Sequence, residues 1–128
     1  MPRGLNKVMI IGNVSRDPEM RYTPSGKAVT SFSVAVNRSW VTTEGERHDT
    51  VEWFNVVAWG SLAEVCKKQL GQGCRVYVEG HLQTRSWDDE RLQRHFRTEL
   101  VANEMIVLEG RERGERPSGA PQDEATTL

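Results

Sequence analysis

The chain has 128 residues, enough for one well-buried core and too few for two. Apolar residues make up 37% of it, and the longest apolar runs, such as residues 8–11, fall far short of the ~20 residues that span a bilayer, which excludes a membrane helix. Seventeen basic residues against eighteen acidic ones give a net charge of −1, so no blanket of positive charge identifies a partner.

Polar Asn6 and Lys7 come almost at once, against a secretory leader, and two cysteines neither staple a small secreted scaffold nor fill a four-ligand zinc site. A reducing cytoplasm is the expected compartment. From residue 110 onward Gly, Pro and charge dominate, so residues 1–109 are expected to fold and 110–128 to form a disordered tail. No internal repeat is apparent.

Residues 7–14 are β-branched and apolar and predict a strand, followed by a loop through Asp17-Pro18 and Thr23-Pro24-Ser25-Gly26. Residues 30–36 alternate, with Phe32, Val34 and Val36 as the core face. A polar tip over 41–49 leads to a third strand at 51–59, making an antiparallel hairpin. Ser61 and Glu64 have capping-box spacing, and Leu62, Val65, Cys66 and Leu70 recur at helical spacing until Gly71 and Gly73 end the run. Residues 75–85 then alternate Val76, Val78 and Leu82 against Tyr77, Glu79, His81 and Gln83. The polar Asp88-Asp89-Glu90 joins them to a last, bent strand within 93–108. Three strands, one short helix and two more strands predict an all-β fold with one helix, the five-stranded Greek-key barrel called the OB-fold.

Alternation in the third strand sets Phe54, Val56 and Ala58 inward and Trp53 and Trp59 outward. Trp87 continues the outward parity of the fourth strand, and Trp40 follows the end of the second. A single tryptophan is better read as core. Four on or beside one surface, interleaved with Arg38, Arg85, Arg91, Arg94 and Arg97, suit a single strand of nucleic acid, whose bases stack and whose phosphates attract cations. Enzyme readings have less support: His48, His81 and His95 show no metal-ligand spacing, Cys66 and Cys74 read as small core residues, and the acidic tip reads as solvated. No cofactor and no metal are expected.

In order along the chain, Asn6-Lys7-Val8, Gly12-Asn13-Val14, Asp17-Pro18-Glu19, Arg21-Tyr22, Glu52-Trp53, Gly60-Ser61-Leu62-Ala63-Glu64 and Val76-Tyr77-Val78-Glu79-Gly80 resemble the motifs of bacterial-type single-stranded DNA-binding proteins over about residues 3 to 108. The resemblance implies an OB-fold homotetramer around which single-stranded DNA wraps, with Trp40, Trp53, Trp59 and Trp87 as the stacking positions. It implies a non-catalytic protein on nucleoid DNA that coats and protects single strands in replication, recombination and repair. Lys7, Arg38, Arg85, Arg91 and Arg94 are the expected phosphate contacts. Val8 and Ile10 of the first strand and Tyr77 and Glu79 of the fourth are the expected subunit contacts. The alternative is a protein-interaction module of a replication-restart complex, in which the same aromatics bury against protein. The family's acidic tail closing in Pro-Phe, which recruits replication and repair proteins, is not recognisable in the ending Asp123-Glu124-Ala125-Thr126-Thr127-Leu128.

Overall fold

The computed structural model describes residues 3–110; the expected tail, apart from its first residue, Gly110, lies outside them. Five long strands, β1 (Val8–Val14), β3 (Ala28–Val41), β4 (Arg47–Trp59), β5 (Arg75–Asp88) and β6 (Arg94–Glu109), and a short β2 (Glu19–Tyr22) form one sheet in the order β1-β5-β6-β4-β3-β2. The sheet closes because β1 changes partner. It pairs with β5 from Val8 to Asn13 and then meets β3 at Asn13 and Val14. The result is the expected OB-fold barrel, with β4 and β6 joined by a short parallel pairing, Val56 to Leu100 and Val57 to Val101.

Two glycines permit these corners. A Cβ at Gly12 would lie 2.4 Å from the Ala35 carbonyl oxygen, where β1 leans onto β3. At Gly80, beside a register shift in the β5–β6 ladder, it would lie 1.9 Å from the Val101 oxygen. Only a residue without a side chain lets the strands approach this closely.

The core contains Val14, Phe32, Val34, Val56, Ala58, Val76, Val78, Leu100 and Met105, so the expected alternation of the second, third and fourth strands holds inside the barrel. Helix α1 (Gly60–Gln69) packs on this core through Ala63 and Cys66, and the buried Thr30 hydroxyl donates 2.7 Å to the Ala63 carbonyl. Asn6 clasps β5, donating to the Leu82 carbonyl and accepting from its N–H at 2.8 and 2.9 Å.

Several local expectations are corrected. The Ser61–Glu64 capping box does not form: Trp59, still paired with Val29 in the sheet, is itself the residue before the helix, which leaves Ser61 already inside it. Val65 and Leu82 are exposed rather than buried. Ala63 takes the helix position against the core, and Leu82 lies where β5 leaves the barrel. Strand β2 occupies the expected loop. Its four residues, in which Met20 and Tyr22 alternate with Glu19 and Arg21, are too few for a period to stand out, and it is held by pairing with β3 and by Met20 packing on the core. The polar segment 41–49 is strand at both ends, since the β3–β4 ladder runs unbroken to Val41 and Arg47 and leaves a tip of only 42–46.

Candidate nucleic-acid interface

Both hairpins outgrow the barrel as two-stranded arms. Because β4 and β6 run parallel, the tips at 42–46 and 89–93 project from the same end. Beyond Val36 and Gly80 the arm residues have little core to rest on, and nearly all are exposed.

All four tryptophans reach solvent. Trp53 is the most open at 62%, Trp40 and Trp87 are each 42% and Trp59 is 41% exposed. Three carry a cation over the ring: the Arg38 guanidinium 4.8 Å from the centre of Trp40, Arg85 5.4 Å from Trp87, and the Lys27 ammonium 5.4 Å from Trp59. Lys27 was not among the expected contacts. It stands before β3 and meets Trp59 because Val29 is the register partner of that tryptophan.

Trp53, Trp59 and Trp87 lie on the outer parity of their strands. Trp40 instead shares the parity of Phe32, Val34 and Val36, and is open only because the arm has left the barrel there.

A cleft of about 380 Å³ opens on the outer face of β3, β4 and β6, with Trp59 and Asn55 in its wall. Four arginines line it, Arg16, Arg21, Arg85 and Arg97, beside Asp17, Glu19 and Glu99. Arg16 and Arg21 are not found by the sequence reading, since they come from a turn and from a strand of only four residues. Glu99 is buried, with Arg85 at 3.4 Å and Arg97 at 3.8 Å. This carboxylate fixes two cations that otherwise reach freely into solvent.

The other expected phosphate contacts are placed as follows. Arg38 lies 3.9 Å from Glu52 and Arg94 3.1 Å from Asp88, exposed pairs that a phosphate competes with readily. Arg91 stands at the tip of the β5–β6 arm with no ion pair among the described residues. Lys7 is separate: it pairs at 2.9 Å with Glu79, which also accepts from the Tyr77 hydroxyl at 2.6 Å. That bond holds the Glu79 carboxyl below its usual range, with Lys7 adding to the effect, and raises the Tyr77 phenol. Ile10 points into the barrel at 8% exposure and Val8 packs on the core, whereas Met9 at 61% and Ile11 face outward beside Glu79 and Tyr77.

Both cysteines are buried and unpaired, and burial pushes the Cys66 thiol up to about 11, far from a nucleophile's range. No cluster of three or more metal-ligating side chains occurs among the described residues. None of their helices is long and apolar enough to cross a membrane.

A model of the single-strand binding protein family matches residues 5–108. The chain belongs to that family. Among curated relatives of this single-strand binding family member, single-stranded DNA-binding protein 1 of Chlorobaculum tepidum is 43% identical over 121 residues, covering 94% of this chain and 75% of the relative. Among solved structures, the Plasmodium falciparum SSB complex with ssDNA superposes with a TM-score of 0.77 at 31% identity, covering 85% of this chain and 99% of that one.

Proposed function

We propose that the protein binds single-stranded DNA without sequence preference, as a non-catalytic coat in replication, recombination and repair. The observation that carries this reading is the set of four open indoles, three of them with a cation over the ring, next to a cleft lined by four arginines. Indole faces accept any base, and guanidinium groups accept any phosphate, so the arrangement favours a strand over a particular sequence. Kinship to a protein solved with single-stranded DNA supports the same reading. Trp40, Trp53, Trp59 and Trp87 stack, while Arg38, Arg85, Arg91 and Arg94, joined by Arg16, Arg21, Arg97 and Lys27, hold the backbone. Titration with a dT oligomer tests it. Strong quenching of tryptophan emission is expected, whereas a protein-docking module predicts none.

Assembly is part of the proposal. From Val8 to Gly12 one edge of β1 pairs with β5, and the opposite edge meets no strand among the described residues. Met9, Ile11, Tyr77 and Ile106 form an outward apolar set across β1, β5 and β6. An open strand edge and an apolar face invite strand pairing and face packing between copies. The proposed homotetramer uses β1 for one contact and the Tyr77 face for the other. Light scattering should give about four times 14.5 kDa; a mass of one chain rejects assembly, and a stable dimer rejects the Tyr77 contact.

A further inference from the structure

The two arms carry the same sequence motif, and it builds the same object twice. Arg38-Ser39-Trp40, six residues, then Arg47-His48 is matched by Arg85-Ser86-Trp87, six residues, then Arg94-His95. The register makes Trp40 the direct cross-strand partner of His48, and Trp87 that of His95. In each arm the imidazole stacks on the indole, with ring centres 5.4 and 5.5 Å apart and planes inclined by 21° and 22°.

The tips agree as well. Thr42 donates its N–H to the Glu46 carbonyl and accepts from Gly45, as Asp89 does with Gln93 and Leu92. The Thr42 hydroxyl and the Asp89 carboxylate each accept the N–H of residue 46 or 93. Gly45 and Leu92 occupy the same left-handed position, at φ 89° and 64°. In both arms a carboxylate approaches the histidine, Glu46 at 3.5 Å from His48 and Asp89 at 2.7 Å from His95. The absence of any repeat, expected from the sequence, is thereby corrected.

We propose that His48 and His95 are positioning residues that hold Trp40 and Trp87 upright as two equivalent base-stacking posts. An exposed indole on a two-stranded arm has several rotamers open to it, and a base gains full stacking energy only on a ring already in place. The cross-strand imidazole removes that freedom before the strand arrives, and the neighbouring carboxylate holds the imidazole in turn. The posts stand on opposite parities of separate arms, so they act on different nucleotides and their contributions multiply. This inference rests on the single-stranded DNA reading above.

The test uses the full chain and a fluorescein-labelled dT oligomer, read by anisotropy. His48→Ala and His95→Ala should each lose about threefold to tenfold in affinity, by similar factors, and the double variant should lose their product. His48→Phe and His95→Phe keep a flat ring without the imidazole's hydrogen bonds, and should restore both affinity and the near-ultraviolet dichroism of the indoles. In a Trp40→Ala background His48→Ala should cost nothing more, because it acts only through that indole. Binding equal to that of the unaltered chain in both Ala variants overturns the proposal, as does a full loss on top of Trp40→Ala. A large effect in one arm alone overturns their equivalence. If the unaltered chain fails to bind the oligomer, the DNA reading itself falls; if it binds and the histidines are silent, only the posts fall.

Discussion

Removing the Trp53 ring gives a direct measure of what one exposed indole contributes. With 62% of the residue open, roughly 150 Å² of a side chain of about 250 Å² faces solvent. A stacked base covers about half of that, and at ~25 cal/mol per Å² the burial amounts to about 2 kcal/mol, inside the range of about 1–3 kcal/mol measured for base–aromatic stacks. Trp53→Ala should therefore raise Kd about thirtyfold for a dT oligomer, read by anisotropy of labelled DNA so that the lost fluorophore does not bias the signal. The fold should barely register the change. Trp53 faces Ala35 across the ladder, a pair contributing less than about 1 kcal/mol. An unaltered Kd in a folded Trp53→Ala variant would refute the stacking argument for this position, and a large loss of thermal stability would refute the claim that the ring is spare to the fold.

Other outcomes follow from charge, burial and backbone. Log affinity should fall linearly with log salt at a slope of about −0.7 per phosphate neutralised, and Arg16→Ala or Arg21→Ala should flatten it; a slope near zero removes the basic cleft from the site. The Glu79 carboxyl is depressed below its ordinary 4.5 by Tyr77 and Lys7, so its stabilising effect is present above that pH and is lost as pH falls through the depressed value. Glu79→Gln should make the acid side of the melting-temperature profile shallower, and an unchanged profile counts against the triad. Cys66 should resist alkylation in the folded protein and react on unfolding; fast labelling of native protein contradicts its burial. Gly80→Ala, forced against the Val101 carbonyl, should cost at least about 1–3 kcal/mol in urea unfolding, whereas Leu92→Gly should stabilise its arm by about 1 kcal/mol, seen as slower amide exchange at the tip.

What could be read from the sequence divides at the end of the barrel. Within it, one face of each strand meets a core, so Phe32, Val34, Val56, Ala58, Val76 and Val78 declare themselves by alternation, and Trp53 and Trp59 follow as the outward set. Outside it neither face is covered, and apolar alternation loses its meaning. That is why 41–49 reads as a loop, why Leu82 reads as core and why alternation does not fix the side of Trp40. Strand β2 is hard to read for a different reason, since four residues between two turns are too short for the alternation of Met20 and Tyr22 to stand out. The arginine cleft draws on residues as far apart as Arg16 and Arg97, which only closure brings together. The repeated motif is present in the sequence itself. Its five shared positions are split by six unlike residues, and they gain meaning only when the register sets each tryptophan against its histidine.

The parallel contact between β4 and β6 bears on how the chain is made. Hairpins β3–β4 and β5–β6 close over short stretches, but Val56 and Val57 wait for Leu100 and Val101, some forty residues later in synthesis. Until those residues leave the ribosome, one border of β4 is bare beside two apolar side chains, a template for any extended neighbour. The polar, charged arm that precedes Val56, from Arg47 through Asp49 to Glu52, is synthesised first and discourages such pairing along its own length. Nascent chains halted after α1 should thus be the most aggregation-prone, and chains extended past residue 101 should escape that hazard.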